Sequence, residues 1–134
     1  MKIIGWRVFR WVFGAFYLIS GLHWGAVLLG LAPVPDFKLS EANAAFQGAL
    51  TATGFINPLL ALTYIVSGAC LQWARTAPLG IVLLAPVMVV ILFTNTLLES
   101  AAIWGIGNTL ALLLLAWHFR TAFYGLWNYK PANC

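Results

Sequence analysis

"PLGIVLLAPVMVVILFTNTLLES", residues 78–100, decides the fold. Pro78 to Phe93 carry no polar side chain; Thr94, Asn95 and Thr96 follow, then Leu97 and Leu98, before Glu99 brings the first charge. So long an apolar run reads as a helix crossing hydrocarbon, which takes roughly 20 apolar residues for about 30 Å. An amide and two hydroxyls near one end raise the functional question of spacer or site.

Three more stretches lack any charge: residues 11–34, 42–74 and 100–119. The second has a polar lead-in, so its span is expected to begin near Ile56. Of the 134 residues, 63% are hydrophobic and 7% charged. Soluble domains lie nearer 45–50% apolar and about 25% charged, so too few charges are present to cover a soluble surface. The expected fold is all-α: one integral membrane domain over residues 1–134, a four-helix transmembrane bundle running up-down-up-down.

Charge sets the expected topology. Lys2, Arg7, Arg10, Arg75, Arg120 and Lys130 all fall on one side, whereas Asp36, Lys38, Glu41 and Glu99 fall on the other. Positive residues in short loops mark the cytoplasmic face. Both termini are therefore expected in the cytoplasm, with loops 32–55 and 99–102 outside. This bias and an attraction to anionic lipid account for the net charge of +4. No other feature supports nucleic acid binding. The apolar run after Arg10 exceeds a signal-peptide core, so the first span is expected to be uncleaved. Cys70 lies within a span and Cys134 ends the chain, which gives no disulfide framework.

In "DFKLSEANAAFQGALTATG", residues 36–54, Ser40 is expected to cap a short amphipathic helix with Glu41 in its first turn. Leu39, Ala42, Phe46 and Leu50 would form its apolar face, laid along the outer surface of the bundle. Gly54 and Pro58 mark its end and the start of the next span. Pro86 is expected to kink the third span.

Polar groups from all four spans gather in the outer half: His23, Thr63, Asn95, and Asn108 with Thr109. Thr63, Ser67 and Cys70 follow i, i+4, i+7 along one face. Thr94 and Thr96 are expected to bond back to carbonyls four residues earlier. The leading expectation makes Asn95 and Asn108 interhelical glue, at about 0.6 kcal/mol per hydrogen bond. The alternative is a polar pocket in which His23, Trp24, Asn95 and Asn108 contact a quinone headgroup or a pigment. His23 is the sharper candidate, because ionisable residues within a bilayer are functional by default. It could bond a quinone carbonyl or serve as a lone axial ligand. His118 lies in the opposite leaflet, so one monomer cannot supply a bis-histidine pair. Gly14, Gly21 and Gly25 form a smooth stripe for helix packing or partner contact, with the His23–Trp24 edge roughly opposite. Trp6, Trp11, Trp73, Trp117 and Trp127 sort to the inner boundary and Trp104 to the outer, as an aromatic belt.

No CxxC, P-loop, GxSxG or HExxH motif is present. The carboxylates Asp36, Glu41 and Glu99 all fall near the outer face, so no catalytic residue and no metal site is expected. No inverted repeat suggests a transporter.

Order and spacing of four blocks carry a family likeness: "YLISGLHW" (17–24), "AAFQGALTATGFINPLLAL" (44–62), "APLGIVLLAPVMVVILF" (77–93) and "LAWHFRTAFYGLW" (115–127). The chain resembles the DoxX and DoxX-like family of small four-span bacterial and archaeal membrane proteins. The resemblance implies a cytoplasmic-membrane location and a link to membrane redox systems, among them a thiosulfate:quinone oxidoreductase. Departures are specific. Ala61 and Tyr64 stand where relatives often carry a Lys-x-x-Glu pair, Val90 stands at an Asn position, and Thr94–Asn95 replace an expected His. If those positions serve the family's chemistry, this chain keeps the scaffold without it. The expected function is a non-catalytic accessory or anchoring subunit of a membrane-embedded electron-transfer assembly, with other integral membrane subunits and lipid as partners. The alternative is a quinone-reactive redox subunit.

Overall fold

A computed structural model describes residues 2–127. Lys130 and Cys134, named above, lie outside the described residues, as do the side chains of Lys2 and Trp127. Six α-helices follow in order: α1 (Lys2–Leu28), α2 (Glu41–Ala52), α3 (Ile56–Gln72), α4 (Ala77–Phe93), α5 (Ala102–His118) and α6 (Arg120–Trp127). A π-helical turn, Thr94–Leu98, extends α4. No strand occurs among the described residues.

Each boundary has a local cause. Gly30, at φ 72°, ends α1, with Leu31 N–H donating to Ala26 C=O and Gly30 N–H to Val27 C=O. Ser40 accepts from Asn43 N–H at 3.2 Å and so caps α2, with Glu41 in the favoured first turn. Gly54, at φ 77°, turns the chain so that α2 and α3 meet at 94°. The fourth helix continues through Pro86 to Phe93. Beyond it, Glu99 N–H donates to Thr94 C=O at 3.1 Å, the five-residue spacing of a π turn.

Two helices are long and apolar enough to cross a membrane: Ile3–Leu28, and Ala77–Leu98 with its π turn. The number rises to three if the bent α2–α3 pair counts as one span. The fifth helix is a shorter apolar one of 17 residues.

Apolar surface does not drive helices together in hydrocarbon; close backbone approach does. That approach is visible between antiparallel α1 and α3. A Cβ on Gly68 would lie 2.5 Å from the Leu18 backbone nitrogen and 2.8 Å from the Gly14 carbonyl oxygen. Gly80 brings α4 equally near the Ser67 carbonyl of α3, and Gly105 seats α5 against Leu92 of α4. By contrast, α1 and α5 meet through rings. Trp6 stacks on His118 at 4.5 Å between centroids, and Phe16 meets Trp104 edge-on at 6.0 Å. Phe13, Tyr17, Leu71, Leu84, Met88, Leu112 and Leu115 fill the centre. Outward faces stay apolar, with Ile103 91% exposed and Val82, Val89, Leu110 and Leu113 at least half exposed. Soluble monomers rarely leave contiguous apolar patches beyond a few hundred Å², so these faces are compatible with a membrane.

One expected face is rotated. Leu39 and Ala42 are exposed, while Asn43 is buried on the inner side of α2 beside the half-buried Phe46 and Leu50. The cause is Glu99, which draws Asn43 inward.

Candidate functional site

The second helix is clasped onto the far end of α4 by polar contacts. Glu99 accepts from Ser40 N–H at 3.2 Å (Oε1) and 3.3 Å (Oε2), and from Asn43 Nδ2 at 2.6 Å. Ser40 Oγ also donates to the Leu98 carbonyl at the end of the π turn. Hydrogen bonds to the charged form, first from the Asn43 amide and then from Ser40, hold the Glu99 carboxyl below its ordinary value. The polar end of the 78–100 stretch is thus the anchor of a lid.

Below the lid, one side-chain hydrogen bond joins α1 and α5 among the described residues. Tyr17 Oη donates to Asn108 Oδ1 at 2.9 Å, with Met88 Sδ at 3.6 Å as its other neighbour. The Tyr64 ring stands 5.5 Å from that of Tyr17. Asn108 Nδ2 donates to the Trp104 carbonyl at 2.9 Å. An amide nitrogen carries two hydrogens, so one N–H of Asn108 is left over. Asn108 borders a groove of about 640 Å³ between α1 and α5. Phe9, Phe13, Phe16, Trp104 and Gly107 are among its walls. Gly105 and Gly107 divide the labour on α5: the first fits against α4, whereas a Cβ on the second would meet open space. The groove can hold a flat or chain-like apolar molecule, with the Asn108 amide and the Ser100 hydroxyl among its few polar lining groups.

The other expected members of the polar layer turn back on their own helices. Asn95 Nδ2 donates to Ile91 C=O at 2.8 Å, so Asn95 makes the back-bond expected of Thr94 and Thr96. Thr63 Oγ1 donates to Leu59 C=O, Ser67 Oγ to Thr63 C=O and Thr109 Oγ1 to Gly105 C=O. Asn95 also presses its Cβ side toward Gly105 rather than toward the groove. His23 and Trp24 are exposed, edge to face at 6.4 Å, and line neither that groove nor the cavity at the other end of the molecule. Of the four candidate ligand contacts, the structure therefore brings only Asn108 to the groove.

Gly14 and Gly21 are buried against α3, where added Cβ atoms would come within 2.7 Å of Leu71 Cβ and 2.8 Å of Ile65 N. Gly25 faces open space. Gly68 completes that seam from the α3 side, with no local sequence signal that singles it out. For Tyr17, the hydroxyl within the apolar run 11–34 is the available signal. Arg10 has a structural role beyond its charge. It counts toward the charge bias, yet it is only 5% exposed and its Nη1 donates to the Leu71 carbonyl. Among the described residues, no group of three or more His, Cys, Asp or Glu side chains is placed to hold a metal ion. No family model, no curated protein and no solved structure matches the chain.

Proposed function

We propose that this chain is a four-helix transmembrane bundle serving as a non-catalytic accessory or anchoring subunit of a membrane-embedded electron-transfer assembly. The spans are α1, α3, α4 with its π turn, and α5, with the basic ends on the cytoplasmic side. Helices α3 and α5, 17 residues each, reach about 25 Å at 1.5 Å per residue. Local thinning of the bilayer accommodates that shortfall at modest cost.

The observation that carries the accessory reading is the fate of Ala61 and Tyr64. Where the DoxX-like resemblance implies an ion pair, Ala61 offers its carbonyl 2.9 Å from the Cβ position of Gly21, and Tyr64 lies against Tyr17. Both positions are committed to the α1–α3 seam. The electron-transfer setting rests on the resemblance of the four sequence blocks. Since the glycine seam is occupied by α3, the exposed His23–Trp24 edge is left to meet a partner subunit.

The test is a pull-down of the tagged chain from native membranes in mild detergent, followed by mass spectrometry. Stoichiometric capture of an integral membrane redox subunit, lost in Trp24→Ala, is expected. A chain that runs alone as a monomer overturns the reading.

One observation favours quinone binding as a second reading: the spare Asn108 N–H at a lateral apolar groove suits a quinone carbonyl. If stoichiometric quinone is extracted from the purified protein and Asn108→Leu abolishes it, the quinone-reactive subunit replaces the accessory one.

A further inference from the structure

At the end of the molecule opposite the lid, a second cavity of about 630 Å³ opens between the first turns of α1 and the ends of α3 and α5. Arg7, Arg10, Trp6, Trp11, Trp73 and His118 are among its lining residues. The guanidinium of Arg7 sits 5.6 Å over the Trp11 ring, and Trp11 Nε1 donates to the Gln72 carbonyl at 3.0 Å. Arg10 caps the Leu71 carbonyl with one of its five N–H groups. Neither arginine forms a bond to a carboxylate among the described residues.

The carboxylates of the described residues belong to Asp36, Glu41 and Glu99, at or beyond the other end of α1. From Arg10 to Leu28 is about 27 Å along the helix axis at 1.5 Å per residue. The screening length is about 8–10 Å in physiological salt, so those groups neutralise nothing here. The C-terminal ends of α3 and α5 each contribute about half a negative charge, one of which is offset by about half a positive charge at the N-terminus of α1. Set against two guanidinium groups, that leaves the cavity with a net charge of about +1.5.

We propose that this cavity binds the phosphate of an anionic phospholipid headgroup, recognised by Arg7 and Arg10. The inference rests on the transmembrane reading above, which puts the cavity at headgroup depth. Its walls suit such an occupant. Trp6, Trp11 and Trp73 supply amphipathic rings of the kind that gather at membrane interfaces. The volume lies within the roughly 300–1,000 Å³ of small-molecule sites. Basic pockets between spans on the cytoplasmic side are an established mode of headgroup capture.

Flotation with neutral phosphatidylcholine vesicles comes first; a full-length chain that fails to insert sinks the transmembrane reading and this inference with it. For inserted protein, delipidated samples are titrated with phosphatidylglycerol or phosphatidylcholine and followed by native mass spectrometry. Phosphatidylglycerol is expected to bind at least about fivefold more tightly, and Arg7→Gln to reduce that preference by about fivefold. Arg7 is exposed and makes no hydrogen bond to another described residue that its replacement would break, so the variant keeps the fold. Equal binding of the two lipids, or an undiminished preference in Arg7→Gln, overturns the proposal while leaving the transmembrane reading intact. Displacement of phosphatidylglycerol by millimolar sodium phosphate identifies a soluble-anion site and overturns the lipid assignment.

Discussion

The side-chain amide of Asn43 donates to Glu99 Oε2 at 2.6 Å, joining residues 56 positions apart and fastening α2 over the end of α4. Asn43 is buried, and its Oδ1 meets no donor among the described residues. It therefore acts at this junction purely as a donor to a carboxylate. Loss of the negative charge on Glu99 weakens its bonds to Ser40 N–H and to Asn43 at once.

That dependence fixes the sign of a pH effect. Glu99 titrates below its ordinary value of 4.5 because Asn43 and Ser40 bond to its ionised form. A carboxyl lowered in the folded state contributes stability that is fully present above its unfolded value and is lost as pH falls through the lowered one. Hydrogen exchange of the amides in residues 44–52, corrected for intrinsic rates, should show full protection at neutral pH and loss under acid below the ordinary carboxylate range. In Glu99→Gln the protection should be weak and flat with pH. A wild-type profile that is equally flat would count against the clasp.

Gly68 and Gly25 should respond in opposite ways to the same methyl group. At Gly68 the new atom meets backbone, Leu18 N at 2.5 Å and Gly14 O at 2.8 Å, so α1 itself must move. Overpacking of this kind costs about 1–3 kcal/mol. At Gly25 nothing lies within 4 Å, and Ala gains up to about 1 kcal/mol of helix propensity. Unfolding in mixed micelles should separate Gly68→Ala, destabilised, from Gly25→Ala, neutral or stabilised. Equal effects would contradict the seam.

Tyr17→Phe removes the side-chain hydrogen bond that ties α1 to α5 and leaves Asn108 Oδ1 without its donor. Such bonds are worth about 0.6 kcal/mol within a membrane and seldom above about 2. A double-mutant cycle of Tyr17→Phe with Asn108→Leu should yield a coupling of that size. A coupling near zero would mean that the hydroxyl serves Met88 instead, 3.6 Å away.

Where the helices begin and end was legible, because those signals are local. Ser40 with Glu41, Gly54 with Pro58, and the uncharged stretches each act within a few residues of themselves. Rotation about a helix axis is not local, and there the residues alone were ambiguous. Gly14, Gly21 and Gly25 look equivalent on one stripe, yet only the first two meet α3, and a Cβ on Gly25 would find nothing within 4 Å. Asn95 and Asn108 are likewise the same residue type at similar depth. Both donate back to their own helix, and Asn108 also accepts across from Tyr17, a difference set by which neighbour stands opposite. The π turn is the extreme case, since no residue in Thr-Asn-Thr-Leu-Leu demands it, yet it presents the Leu98 carbonyl and Glu99 to α2.

Ser40 couples two helix ends through one hydroxyl. Its oxygen accepts from Asn43 N–H at the start of α2, and its hydrogen goes to the Leu98 carbonyl at the end of the π turn. Ser, Thr and Asp are all good N-caps, and replacing one by Ala costs typically about 1 kcal/mol. If capping were the whole role, Asp would substitute for Ser. Here an Asp has no proton for the Leu98 carbonyl and sets a second negative charge against Glu99. Ser40→Thr should therefore keep the exchange protection of α2. Ser40→Ala should lose most of it, and Ser40→Asp should lose at least as much despite capping well. Protection in Ser40→Asp equal to wild type would show that the lid is held by its own cap and not by the end of α4.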